Sequence, residues 1–121
     1  EFTIVEGAGG LMVPLAGGLL MADLARELQL PLLVVVRPNL GTINHTLLTL
    51  FCARALEIPV AGYLINRMPG EPGAAERTAP HTLASLTTDE LLGVLDDVAG
   101  DDREKVAALA GQLAAVDFIP D

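Results

Sequence analysis

Leu32-Leu33-Val34-Val35-Val36 is an unbroken apolar run, β-branched over its last three residues and bounded by Pro31 and by Arg37-Pro38. Its length and β-branching are those of a strand. Continuous rather than alternating hydrophobicity is the pattern of a strand buried on both faces, as in a parallel sheet covered by helices. Working outward, Met21 to Leu28 reads as a helix with Met21, Leu24, Ala25 and Leu28 on one face, closed by Pro31. On the other side, Pro38-Asn39-Leu40-Gly41 is loop, and a Leu-rich, almost uncharged helix runs from there to about Leu56, with Thr42 or Asn44 expected as its cap. One sheet face cannot cover so apolar a helix, so a subunit interface is its expected second partner.

The same alternation continues to both ends. Val60 to Asn66 reads as a strand, Ala74 to Leu86 as a helix weakened by Pro80, Leu91 to Leu95 as a short strand, and Asp102 to Val116 as an amphipathic helix with Val106, Leu109, Ala110 and Leu113 on one face. Upstream, Phe2 to Val5 reads as a buried strand and Leu11 to Leu15 as a short extended piece ended by Ala16-Gly17-Gly18. Alternating strands and helices imply an α/β fold, a parallel sheet with flanking helices and right-handed crossovers. Residues 1–121 fit within one domain by length, and 51% hydrophobic content is ample for a core.

In such sheets ligands collect beyond the carboxyl ends of the strands. Glu6, the loop Arg37 to Gly41, Asn66 and Asp96 all fall at expected strand ends. Of these, Glu6 has the most pointed context, Ile4-Val5-Glu6-Gly7-Ala8-Gly9-Gly10. A carboxylate at a strand tip can hold Mg²⁺, and glycines let backbone N–H groups approach phosphate oxygens. A dinucleotide fingerprint fits worse, because its third glycine would stand where Met12 stands.

Composition excludes several classes. A formal charge of −9, from 16 acidic and 7 basic residues, disfavours a nucleic-acid surface. The single Cys52 forms no internal disulfide, and no apolar run reaches the roughly 18 residues of a membrane span. A cytoplasmic protein is the expectation. The chain opens on Glu1-Phe2 rather than on methionine, which makes a fragment the expected reading.

Glu6-Gly7-Ala8-Gly9-Gly10, Ala22-Asp23-Leu24, the apolar strand, Leu40-Gly41-Thr42-Ile43-Asn44-His45-Thr46-Leu47-Leu48-Thr49 and Gly62 to Asn66 occur in the order and spacing seen in dethiobiotin synthetases. The chain resembles that family from Thr3 to Asn66, and more loosely from Leu91 to Leu95. The resemblance implies a doubly wound P-loop NTPase-type fold, of which residues 1–121 would be the C-terminal portion. It implies an ATP-dependent, Mg²⁺-dependent ligase of biotin synthesis, joining 7,8-diaminopelargonic acid and CO₂ into a cyclic urea through a carbamate and a carbamic-phosphate anhydride. By the same resemblance Glu6 is the metal ligand and touches the nucleotide, and Gly9 lies against reacting oxygens. Gly41, Thr42, Ile43 and Asn44 receive the carboxylate tail of the diamine across a homodimer interface. Asn66 reads adenine, with Gly93, Val94 and Leu95 close to the nucleotide.

Two departures stand out. Asp96 occupies a position where family members usually carry proline, and some members carry a ribose-contacting glutamate at the position of Val94. The phosphate loop G-x-x-x-x-G-K-[ST] and the substrate lysine lie upstream of the V-E-G-A-G-G motif in the family, and neither occurs among these residues. The expectation is therefore that the isolated chain is inactive and that its missing N-terminal segment is a required partner. Two other classes compete: a P-loop ATPase switch of the partitioning type, and an inactive dimerising interaction domain.

The remaining chemistry-bearing side chains have plainer readings. His45 belongs to a helix start, and with His81 and Cys52 it makes no zinc pattern. Cys52 is expected as a small core residue, and Asp96, Asp97, Asp101 and Asp102 as the acidic approach to a helix N-terminus.

Overall fold

The structure is a computed structural model that describes residues 3–113. Its elements are β1 (Pro14–Ala16), β2 (Leu19–Leu20), α1 (Met21–Leu28), β3 (Leu32–Val36), α2 (Thr42–Ala55), β4 (Val60–Met68), α3 (Ala74–Leu86), β5 (Leu91–Asp96) and α4 (Asp102–Leu113). The strands β3, β4 and β5 form a parallel sheet in that order, and β1 and β2 form a separate antiparallel hairpin across Gly17-Gly18. This is the α/β architecture that the sequence alternation implies.

The two crossovers step across the sheet in the same direction, so α2 and α3 share one face. Leu50 of α2 and Leu83 of α3 meet Tyr63 and Ile65 of β4 there, with Val34, Val36, Leu47 and Met68 packed around them. A smaller cluster of Ala22, Ala53 and Ile58 joins α1 and α2 beside the amino ends of the strands. Gly62 makes room where β4 and β5 come closest. Its φ is +149°, and a Cβ there would stand 2.7 Å from Leu92 Cγ and 2.9 Å from the carbonyl oxygen of Glu90.

Several expectations need correction. Thr3 to Val5 form no strand and are exposed, because no neighbouring strand among the described residues offers a ladder to these backbone groups. In β3 burial alternates: Val34 and Val36 pack under α2, while Leu33 and Val35 lie exposed on the opposite face, Val35 at 57%. Hydrophobicity specified a strand but not the cover on its second face.

Likewise α1 buries Ala22 rather than Leu24 or Leu28, and α4 buries no residue, with Val106 largely exposed. Residues 114–116, which the sequence assigned to the last helix, lie outside the described residues. Pro80 sits inside a continuous α3. Cys52 is only half-buried, its Sγ 3.5 Å from Met12 Sδ. The aspartate reading fits for Asp101: its carboxylate accepts from the N–H groups of Arg103 and Glu104, and Glu104 Oε2 accepts from Asp101 N–H at 3.0 Å, a reciprocal cap on α4.

Candidate functional site

The carboxyl ends of β3, β4 and β5 define one rim, reached by the Arg37–Gly41 loop, Asn66 and Asp96. One component of it is the start of α2. Gly41 is the N-cap residue, with φ of +97° and no side-chain cap. Neither Thr42 nor Asn44 caps the helix as expected. Thr42 is already its first residue, and its buried hydroxyl stands 3.4 Å from that of Thr46. Thr42 N–H donates to Asn39 O at 3.0 Å and His45 N–H to Gly41 O at 3.1 Å. Among the described residues the N–H groups of Ile43 and Asn44, between them, have no partner, and they stand at the positive end of the helix dipole, suited to an external acceptor. Leu40, one residue ahead of the cap, is 91% exposed.

The glycine segment approaches α2 from the other side. Ala22 N–H donates to Leu11 O at 2.8 Å and Met21 N–H to Val13 O at 2.9 Å, which ties the segment to the start of α1. Asp23 Oδ2 accepts from Leu20 N–H at 2.8 Å and closes that start. Gly9 adopts φ of +81°, and a Cβ on it would fall 2.8 Å from Val13 Cγ2, so the turn requires glycine. As a result Gly10, Leu11 and Met12 border a groove of about 310 Å³ together with His45, Thr49 and Cys52 of α2. Two motifs far apart in sequence thus share one groove. Glu6 is exposed and lies ahead of it in irregular chain. No group of three potential metal ligands occurs among the described residues.

Asn66 is the most informative residue of the rim. Its Oδ1 is buried and has no hydrogen-bond partner among the described residues. An orphaned buried acceptor costs about 1–3 kcal/mol, so such an atom calls for a donor from outside. Gly93 and Val94 pair with Leu64 and Ile65 within the sheet, and Leu95 points into the core, so the chain reaches the rim at Asp96 and Asp97. Sequence reading missed one feature here. Arg67, directly after Asn66, has φ of +66°, and the register slips between Ile65 and Met68. Arginine carries no sequence signal for that conformation, unlike glycine or asparagine.

A larger concavity, about 840 Å³, lies away from this rim, between the hairpin, α1 and the Leu56–Pro59 turn. It is lined mainly by leucines and surface charges and contains none of the rim residues. Size alone is therefore a poor guide to the site.

Comparison with known proteins bears on the family of the chain. The family described as AAA domain matches residues 1–105. The "ATP-dependent dethiobiotin synthetase BioD" of Bacillus subtilis (strain 168) is 42% identical over 106 residues, covering 88% of this chain and 46% of the relative. The protein of that name from Mycobacterium sp. (strain KMS) is 45% identical over 113 residues, covering 91% and 49%, and that from Thermodesulfovibrio yellowstonii is 39% identical over 118 residues, covering 91% and 49%. The chain spans about half the length of the curated relatives it matches.

Proposed function

The chain belongs to the AAA domain family and within it to the dethiobiotin synthetases, and on that ground we propose that residues 1–121 are the C-terminal portion of an ATP-dependent ligase that makes dethiobiotin from 7,8-diaminopelargonic acid and CO₂. In this reading one amine of the diamine takes up CO₂ as a carbamate. The carbamate oxygen attacks the γ-phosphorus of ATP and releases ADP. The second amine then closes the ring on the mixed anhydride and expels phosphate.

The observation that carries the proposal is the orphaned Oδ1 of Asn66 at the carboxyl rim of β4. The 6-amino group of adenine supplies the donor this acceptor lacks, while the amide N–H₂ can donate to a ring nitrogen. The free N–H groups of Ile43 and Asn44 suit the substrate carboxylate in a chain with one lysine, with Gly41 and Thr42 shaping the helix start that presents them. Gly9 admits close approach of its backbone to reacting oxygens. A lone carboxylate completed by phosphate oxygens is a usual donor set for Mg²⁺, which fits Glu6, and the ion would neutralise charge building on the transferred phosphoryl group.

The outer edge of β3 is unpaired among the described residues, its apolar flank is open at Leu33 and Val35, and Thr3 to Val5 lack a partner. These features support a further, upstream segment of the same protein completing the sheet and supplying the phosphate loop. The isolated chain is accordingly proposed to be inactive. Leu48 and Phe51, the latter 67% exposed on α2, support a homodimer through that helix. No helix among the described residues is long and apolar enough to cross a membrane.

The test is calorimetric titration of the diamine and of a nonhydrolysable ATP analogue, with Mg²⁺, into the intact protein. Saturable binding of both is expected, and Asn66→Ala should weaken only the nucleotide, by about tenfold for one lost hydrogen bond. Nucleotide binding without diamine binding would replace the ligase by an ATPase switch.

A further inference from the structure

At the rim end of β4 the parallel ladder runs Ile65↔Val94 and then Met68↔Asp96. Two residues of β4, Asn66 and Arg67, therefore oppose the single Leu95 of β5. This is a β-bulge, uncommon between parallel strands, and such features re-aim side chains beside functional sites. Beyond it the ladder resumes, with Asp97 N–H donating to Met68 O at 2.8 Å.

The consequence can be read from packing. Tyr63 and Ile65 face the core beneath α2 and α3, so strict alternation would send Arg67 into that core and Met68 to the opposite face. Instead Met68 packs against the core cluster and the Arg67 side chain stands 67% exposed. One residue in left-handed backbone, Arg67 at φ of +66°, absorbs the extra length. Asn66 is the residue immediately before this reversal, and its buried Oδ1 is the unpartnered acceptor of the rim.

We propose that Arg67 is a positioning residue: its left-handed backbone holds the bulge that fixes the Asn66 amide at the rim with its Oδ1 unpartnered, and so sets selectivity for a purine bearing a 6-amino group. The inference rests on the nucleotide reading of Asn66 given above. The backbone, rather than the guanidinium, does the positioning. Arg67 Nε and Asp97 Oδ1 are 3.6 Å apart and well exposed, and exposed pairs of that kind contribute little. The conformation itself is selective, since glycine adopts positive φ freely whereas a β-branched residue there is a genuine outlier.

The experiment measures affinity of the intact protein for ATP and for purine riboside triphosphate, which lacks the 6-amino group. Wild type should favour ATP by about tenfold, the worth of one hydrogen bond. Arg67→Gly and Asp97→Ala should keep that ratio, whereas Arg67→Val should bring it to about one, as Asn66→Ala does, with affinity for purine riboside triphosphate held within about threefold. If Arg67→Val does not fold, Arg67→Ala strains the same backbone without a branched side chain and is compared with Arg67→Gly in the same way. A wild-type ratio in the strained variant, beside a collapsed ratio in Asn66→Ala, overturns the role of Arg67 and leaves the nucleotide reading intact. Collapse in Asp97→Ala transfers the role to the ion pair and also overturns the inference. An Asn66→Ala variant indistinguishable from wild type overturns the nucleotide reading, and this inference with it.

Discussion

The sheet from β3 to β5 and the segment from Thr3 to Val13 both carry apolar, β-branched residues, yet only the sheet forms a ladder with fully buried side chains. In the sheet, Tyr63 and Ile65 are fully buried, as is Leu83 of α3 packed against them, and each strand has at least one ladder partner. In the amino-terminal segment Ile4 is 79% exposed, and Val5 and Met12 are also exposed. The difference shows that β-propensity is realised only where backbone N–H and C=O groups find a neighbouring strand. It also divides the candidate site. Asn66 and the start of α2 are held by the core beneath them, whereas Glu6 is exposed and lies in irregular chain.

That contrast can be broken experimentally, most severely through the core. Leu83→Ala should lower the unfolding free energy by about 2–5 kcal/mol, because a fully buried leucine leaves a cavity between α3 and the sheet. Denaturant titration would reveal it as a lower midpoint at unchanged slope, and a loss below about 1 kcal/mol would mean that the α3 interface collapses on truncation.

Alkaline solution tests the same core through Tyr63. Burial, and secondarily the charge of Asp89, holds its phenol above the ordinary tyrosine value of 10.0. The folded state then keeps a proton that the unfolded state has already lost. This contribution to stability is fully present below pH 10 and disappears as pH rises through the raised folded value. The Tyr63→Phe variant should lack that alkaline component, so the difference in stability between the two proteins, followed by circular dichroism, should begin to change near pH 10. A difference that stays constant through that range would place the phenol in contact with water.

The smallest effect is expected outside the sheet. Ile4→Ser should change stability by less than about 0.5 kcal/mol, as usual for an exposed position without specific contacts. A loss approaching that of Leu83→Ala would erase the distinction between the two regions. In the intact protein, by contrast, the proposed strand partner should make the same substitution costly, and hydrogen exchange at Ile4 and Val5 would report the added protection.

Much of the fold was legible because its signals are local. Helices Met21–Leu28 and Ala74–Leu86 begin and end where the sequence indicates, and the Leu32–Val36 strand does also. The rim of Asn66 and Asp96 followed from the rule that parallel strands present ligands at their carboxyl ends. The helix start at Gly41 was legible as a helix boundary but misread as a side-chain cap, because Thr42 and Asn44 have capping chemistry and only the backbone φ at Gly41 reveals the true cap. The bulge was not legible, since arginine has no preference for the backbone it adopts at position 67.

The sequence by itself determined the alternation of strands and helices, the parallel sheet and the placing of polar residues at one rim, because hydrophobic periodicity, chain breakers and crossover geometry act locally or through simple connectivity. Only the tertiary structure decided that, among the described residues, Thr3 to Val5 remain without a ladder and β3 keeps an open face. It also decided that Met68 replaces Arg67 in the core and that Asn66 presents an unpaired acceptor. Each of these depends on which distant segment supplies the next hydrogen bond or apolar contact, and no local pattern of residues carries that information.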